Sequence, residues 1–255
     1  MTIIAVVNPK GGQTKSTLCA HLGHAASSAN LSTLLADFDS QASLSLSFPT
    51  ASDSPELQTS MLFDEVATAP KLVPNGLQII RADKARLGQL SSHDQAAARR
   101  AASRLRELAQ GFGLCVIDTK GALDGTTTSA ALYAADAVVC PFEVGLYEVA
   151  ALSDLWQHLR RAKTSGINPR MRVLGLLPTR LNTRSPAEVK ALEGLRADMG
   201  ENILPVCLPV RSAVKQATMK RQPVWQNAQG ESHRHAAREW REACDLILRR
   251  AGVLK

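Results

Sequence analysis

A chain of 255 residues, 45% hydrophobic and 21% charged, has the composition of a globular protein and the length for one large α/β core. No run approaches the ~18 uninterrupted apolar residues of a membrane span, and the first apolar run ends in a glycine-lysine loop rather than a small-residue cleavage site, so a cytoplasmic location is expected. Five single cysteines (Cys19, Cys115, Cys140, Cys207, Cys244) form no C-x-x-C and no Cys/His cluster, which excludes a zinc module and a disulfide framework.

The net charge is +7, and residues 205–255 carry ten Lys/Arg against four Asp/Glu, so +6 of it sits in the last fifth of the chain. A basic excess gathered in one segment reads equally as a nucleic-acid footprint or a solvated face.

In chain order, residues 3–7 read as a first strand, followed by Asn8-Pro9-Lys10-Gly11-Gly12-Gln13-Thr14-Lys15-Ser16-Thr17 and a helical pattern over 16–28. A strand, a glycine turn and a helix opening on Lys-Ser make a phosphate cradle. Loop N–H groups and the helix dipole face the anion, Lys15 brings a point charge to β/γ-phosphates, and Ser16 offers a hydroxyl to Mg²⁺. The pattern G-x-x-x-x-G-K-[ST] is not met, because Pro9 and Thr14 stand where it needs glycine; K-G-G-x-x-K-[ST] is met instead. If the loop demands positive φ at residue 14, a β-branched side chain there costs on the order of 1–3 kcal/mol, enough to weaken phosphate binding roughly ten- to a hundredfold. Alternatively the loop accommodates threonine and its hydroxyl meets a phosphate oxygen.

The second strand, 33–36, runs into Asp37-Phe38-Asp39-Ser40-Gln41, where alternation puts both carboxylates on one face at the strand's C-terminal edge. A Ser/Pro/Thr-rich surface excursion over 47–75, with a short helical piece near 61–66, precedes a third strand at 77–80 and a helix at 93–110. The fourth strand, 114–117, ends in Asp118-Thr119, an apolar strand closing on an acid suited to hold Mg²⁺; Lys120 and Gly121 follow. Strands at 137–140, 173–177 and 203–207 alternate with helices at 146–164 and 186–199, and a closing helix spans 233–254 with Trp240, Cys244, Ile247 and Leu248 on one face. That stripe suits core packing or, as an alternative, a membrane surface. The alternation predicts one α/β domain over 1–255, a doubly wound, mostly parallel sheet of about seven strands with helices on both faces, and a basic helical segment from about 205.

The loop K-G-G-x-x-K-S, the D-x-D at Asp37/Asp39 and the Asp118 strand together resemble the ParA/MinD family of P-loop ATPases with a deviant Walker A motif. Within it, the chain is most similar to IncC-type plasmid partition ATPases without an N-terminal helix-turn-helix. The resemblance runs from residue 3 to about 225. It implies ATP and Mg²⁺ as cofactors, with Lys10, Gly11, Gly12, Gln13, Thr14, Lys15, Ser16 and Thr17 around the phosphates and Ser16, Asp37 and Asp118 at the metal. It also implies Lys10 reaching the nucleotide of a partner subunit in an ATP-dependent homodimer, and Asp39 orienting the attacking water. Leu177-Pro178-Thr179-Arg180 and Leu208-Pro209-Val210-Arg211 match the segments that flank the base, which assigns Thr179, Arg180, Pro209 and Arg211 to adenine.

The functional implication is slow ATP hydrolysis coupled to DNA partition, with non-specific DNA and a ParB-type adaptor as partners, nucleoid association and no membrane. Arg211, Lys215, Lys220 and Arg221, then Arg249 and Arg250, are the DNA-contact candidates. Three positions depart from the family: Thr14 for glycine, Ser40 for the proline of D-x-D-P-Q, and Lys120 for proline or alanine. Lys120 either contacts the γ-phosphate, alters the hydrolysis signal, or faces solvent. A MinD-like membrane ATPase, a non-hydrolysing scaffold and a metabolic ligase are the competing implications.

Overall fold

The computed structural model describes residues 1–12, 14–48, 57–65, 72–122, 124–144, 148–164 and 168–254. Gln13, Val66 and the expected helix start at Leu146 lie outside the described residues. Seven strands form one all-parallel sheet: β1 (Thr2–Val6), β2 (Thr33–Asp37), β3 (Leu77–Ile80), β4 (Leu114–Asp118), β5 (Ala137–Glu143), β6 (Arg172–Leu181) and β7 (Leu208–Pro209). Their order is β3-β2-β4-β1-β5-β6-β7. The helices are α1 (Lys15–Ser28), α2 (Ser43–Leu46), α3 (Lys84–Gln89), α4 (Gln95–Leu108), α5 (Thr126–Ala134), α6 (Glu148–Thr164), α7 (Pro186–Met199), α8 (Ser212–Met219) and α9 (Glu231–Arg250).

The strands are apolar along their central positions, with polar residues mainly at their ends, because both faces are covered. Along β1, Ile3 and Ala5 enter one core and Ile4 and Val6 the other; along β4, Cys115 and Ile117 oppose Leu114 and Val116. The first core takes α4, α5, α6 and α7, and the second takes α1, α8 and α9. Trp240, Cys244, Ile247 and Leu248 of α9 are buried in the second core. The apolar stripe of the closing helix is therefore spent on packing. No described helix is long and apolar enough to cross a membrane.

Local chemistry sets the helix starts. Asp94 caps α4 by accepting from Ala97 N, and Ser185 caps α7 by accepting from Glu188 N, with Pro186 at the first helical position.

Four details differ from the sequence expectation. The seventh strand is not 203–207: Ile203 makes one bridge to Leu176, and the paired strand is Leu208–Pro209 against Thr179 and Leu181. Pro205 has no N–H to give a ladder, so pairing resumes only beyond it. The helical piece expected near 61–66 within the excursion is, among the described residues, a single 3₁₀ turn, Thr59–Leu62. The helix expected at 93–110 is α4, shorter at both ends. Helices α2, α3 and α5 had no visible signature. The first two are short, and α5 opens on three threonines and is buried on nearly all sides, which erases amphipathic periodicity.

Candidate functional site

In this strand order β1 lies between β4 and β5, the point where successive connections diverge to opposite sides and open α/β sheets bind ligands. The loop leaving β1 is pinned there from several directions. Asn8 Nδ2 donates to Pro141 O (2.6 Å) and Asn8 Oδ1 accepts from Lys10 N (2.7 Å), tying the loop's entry to β5. Thr119 Oγ1 donates to Val6 O (2.8 Å) from the β4 side. Gly121 presses on the loop so closely that a Cβ would sit 2.6 Å from Gly11 N, so this position admits only glycine.

Within the loop Gly12 has φ 74° and Thr14 has φ 64°, ψ 7°, both left-handed. Thr14 is the N-cap of α1 and makes no side-chain capping bond. The feared dihedral is thus real. A loop that keeps it throughout the binding cycle carries the strain as a cost of folding rather than of phosphate binding. Thr14→Gly is expected to raise the melting temperature by about 2–4 °C, a net gain of about 1 kcal/mol after the entropy glycine adds to the unfolded chain, and to leave ATP affinity within about threefold. Scanning calorimetry and titration calorimetry on the pair check both parts.

Lys15 is buried and its Nζ donates to Lys10 O (2.8 Å), which folds the ammonium back across the loop. Burial lowers its pKa, opposed by the carboxylates of Asp118 and Asp39. Asp118, the last residue of β4, is fully buried, and neither carboxylate oxygen has a hydrogen-bond partner among the described residues. Burial, then the neighbouring Asp37, raise its pKa to about 8; the Ser16 hydroxyl beside it pulls the other way. An orphaned carboxylate next to a serine hydroxyl is a hard-oxygen donor set with room for water and phosphate ligands, which fits Mg²⁺. Among the described residues no group of three or more His, Cys, Asp or Glu is placed to hold a metal ion.

Asp37 is paired in register with Asp118 across β2 and β4, but its carboxylate is engaged. One oxygen accepts from Ser45 N (2.8 Å) and Ser45 Oγ (2.7 Å), the other from Asp39 N (3.1 Å). Burial still raises its pKa, against those bonds. Asp39 is half-buried and accepts from Gln41 N (2.9 Å), which holds the turn. Gly11 and Gly12 are exposed, with Lys10 half-buried beside them.

Next to the loop opens a cavity of about 520 Å³ whose walls include Thr14, Thr17, Arg180, Pro209, Arg211 and Lys215. The base-flanking candidates are gathered there except Thr179, which is fully buried and donates to Phe142 O inside the sheet. Arg180 pairs with Glu143 (3.2 Å), and Arg211 grips Glu239 of α9 with two bonds (2.6 and 3.1 Å) that raise its pKa. Of the DNA candidates, Lys215, Lys220, Arg221 and Arg249 are exposed, whereas Arg211 is held by Glu239 and Arg250 donates to Leu174 O.

Sequence reasoning missed His21. Its Nδ1 faces Thr17 O (2.7 Å) and its Nε2 accepts from Val224 N (3.1 Å), while the ring packs on Trp240 (4.3 Å) and edge-on to Trp225 (5.3 Å). His233 Nε2 meets Val224 O (2.8 Å) from the other side. Two histidines therefore hold both backbone groups of Val224 and tether the segment after α8 to the helix that carries the phosphate loop. Asn8 and Ser45 were also missed. Asn8 adjoins the motif and was within reach; Ser45 and His21 act through contacts that no local pattern encodes.

A family profile described as an AAA domain matches residues 1–173. The protein IncC of Escherichia coli is 28% identical over 97% of this chain and 68% of its own length. The chromosome partitioning protein ParA of Caulobacter vibrioides (strain NA1000 / CB15N) is 26% identical over 88% of this chain and 86% of its own. The solved ATP complex of McdA from Cyanothece superposes with a TM-score of 0.79 at 20% identity, over 100% of this chain and 97% of that one, which shows a common fold. The chain belongs to the AAA domain family and is a homologue of the IncC and ParA partition ATPases.

Proposed function

We propose that this chain is a ParA-type ATPase that partitions DNA, a plasmid or mobile element, by switching between an ATP-bound dimer and a released state. The observation that carries it is Asp118, a buried carboxylate with no resolved hydrogen-bond partner among the described residues, set beside the Ser16 hydroxyl and within the field of Lys15 at the N-terminus of α1. Groups so placed have no structural use and cost stability; a nucleotide with its metal satisfies them.

Bound ATP would lie with its phosphates along Gly11, Gly12, Gln13, Thr14, Lys15, Ser16 and Thr17, and its base in the cavity walled by Arg180, Pro209 and Arg211. Thr179 takes part only by shaping the strand end. Mg²⁺, held by Ser16 and Asp118, neutralises phosphate charge when present. Asp37 orders the Asp39 loop, acting on the metal shell from one residue away. Asp39 then orients water for attack. Lys15, released from Lys10 O, follows the charge that develops on the transferred phosphoryl group. Lys10 supplies a second cation to the partner subunit's nucleotide in a homodimer, so ATP joins the subunits and hydrolysis frees them.

The dimer would present Lys215, Lys220 and Arg221 as a paired basic surface to phosphate backbones, without sequence readout and with steep salt dependence. A ParB-type adaptor would stimulate the otherwise slow hydrolysis, in the cytoplasm and on the nucleoid. Charge reversal at Lys220 and Arg221 together is expected to weaken ATP-dependent DNA binding at least about tenfold with dimerisation intact, since each lost phosphate contact removes roughly one released counterion. Electrophoretic shift at two salt concentrations checks it; unchanged affinity and salt slope would sink the DNA surface.

A further inference from the structure

Two of the three departures from the family pattern, Ser40 and Lys120, line one cavity. It has a volume of about 270 Å³ and lies between the loop after β2 and the loop after β4. Lys120 does not turn toward the phosphate loop. A Cβ on Gly125 would sit 3.0 Å from Lys120 Nζ and 3.2 Å from its Cε, so the side chain runs across the N-terminal end of α5. Lys120 is half-buried, and its ammonium makes no ion pair or hydrogen bond among the described residues.

Three further features share the same space. Helix α5, nine residues long, begins at Thr126 behind the N-cap Gly125, which has no side chain to cap it, and its first two residues line the cavity at the positive end of the helix dipole. Thr127, in its first turn, is 6% exposed, and its buried Oγ1 has no partner among the described residues. Phe38 and Leu87 add apolar side chains to the same lining.

A half-buried ammonium, an uncapped helix start and an orphaned buried hydroxyl all call for negatively charged oxygen. The volume admits only a small molecule. We infer that this cavity is a second ligand site, separate from the nucleotide cavity, for a compact oxyanion: a carboxylate or phosphate group on a short apolar body. The oxyanion sits between Lys120 Nζ and the first turn of α5, accepts from Thr127 Oγ1, and rests its apolar part on Phe38 and Leu87. Such a ligand touches both loops that carry the carboxylates Asp39 and Asp118.

The test uses the full chain in a Lys15→Ala background, which weakens the phosphate loop as a competing anion site and makes the result independent of nucleotide binding. Inorganic phosphate and glutarate are titrated separately by calorimetry. Binding of either probe with a Kd below about 10 mM, weakened at least about tenfold by Lys120→Ala and about threefold by Thr127→Val, supports the site. Tighter glutarate assigns a carboxylate ligand, and tighter phosphate a phosphorylated one. Melting temperatures of the variants confirm the fold. Absence of binding by both probes, or equal binding after Lys120→Ala, overturns the assignment.

Discussion

Replacing Asp118 with asparagine is expected to stabilise the ligand-free protein while abolishing Mg²⁺-dependent ATP turnover. The two effects have opposite signs because the same carboxylate is a liability to the fold and a ligand in the site. Its folded pKa of about 8 stands above the ordinary 3.8, so the folded state holds its proton more tightly than the unfolded chain. Stability from this group is full below about pH 4 and is lost as pH rises toward 8. At pH 8 removal of the charge returns about 2 kcal/mol, after the amide donors that asparagine leaves unpaired are counted, or about 4–8 °C in melting temperature. Turnover should fall at least about a hundredfold, the order seen when a charge-stabilising group is removed from a transition state. Scanning calorimetry at pH 6.5 and 8 with and without Mg²⁺ and ATP, beside a phosphate-release assay, reads both. A destabilised Asp118→Asn protein would mean that the carboxylate is structurally satisfied.

His21→Leu is expected to cost about 2–3 kcal/mol and to remove the acid limb of the stability curve. Leucine fills most of the ring's space against Trp240 but leaves the buried N–H of Val224 without an acceptor and Thr17 O without its partner. A fall of about 5–10 °C in melting temperature follows. The sign with pH is opposite to that of Asp118. Burial, assisted by His24, pushes His21 down to about 4 against an unfolded value of 6.5, with the Thr17 carbonyl pulling it up. Its stability is complete above pH 6.5 and drains away as pH falls through 6.5 toward 4. Of the two groups, only Asp118 acts from pH 6.5 to 8, while between 4 and 6.5 both act, with opposite signs. Melting curves over pH 4–7 distinguish the variant from a merely cavity-containing one, because only loss of the histidine flattens the acid slope. An unchanged acid slope in His21→Leu would assign acid sensitivity elsewhere.

The parallel sheet was legible because β1, β2 and β4 are buried on both faces, which forces continuous apolar runs that local pattern reading detects. The phosphate loop was legible because its chemistry is contiguous: Lys10 to Thr17 is one uninterrupted segment. Strand β7 was misplaced because two residues of pairing leave no periodicity, and Pro205 sits inside the stretch that looked most strand-like. Thr14 shows the limit differently. Sequence identified the risk of a β-branched residue in a glycine position, but only the backbone angle shows that the loop holds it left-handed. Asp37 and Asp118 looked equivalent as carboxylates at strand ends. The three hydrogen bonds on Asp37 and the absence of any on Asp118 among the described residues separate them, and two of those three bonds come from Ser45, eight residues further along the chain. Lys120 likewise took its meaning from Gly125 and Thr127, whose helix had no sequence signature.

The account stands or falls on whether the wild-type chain binds ATP through Asp118 and Mg²⁺, and titration calorimetry at pH 7.5 in two buffers of different ionisation enthalpy measures this directly. The account predicts micromolar binding that requires Mg²⁺, is lost in Asp118→Asn, and releases a fraction of a proton, since a carboxyl with a pKa near 8 must ionise to meet the metal. Absence of binding by wild type and by Thr14→Gly alike would contradict it, leaving a ParA-like fold without a nucleotide switch.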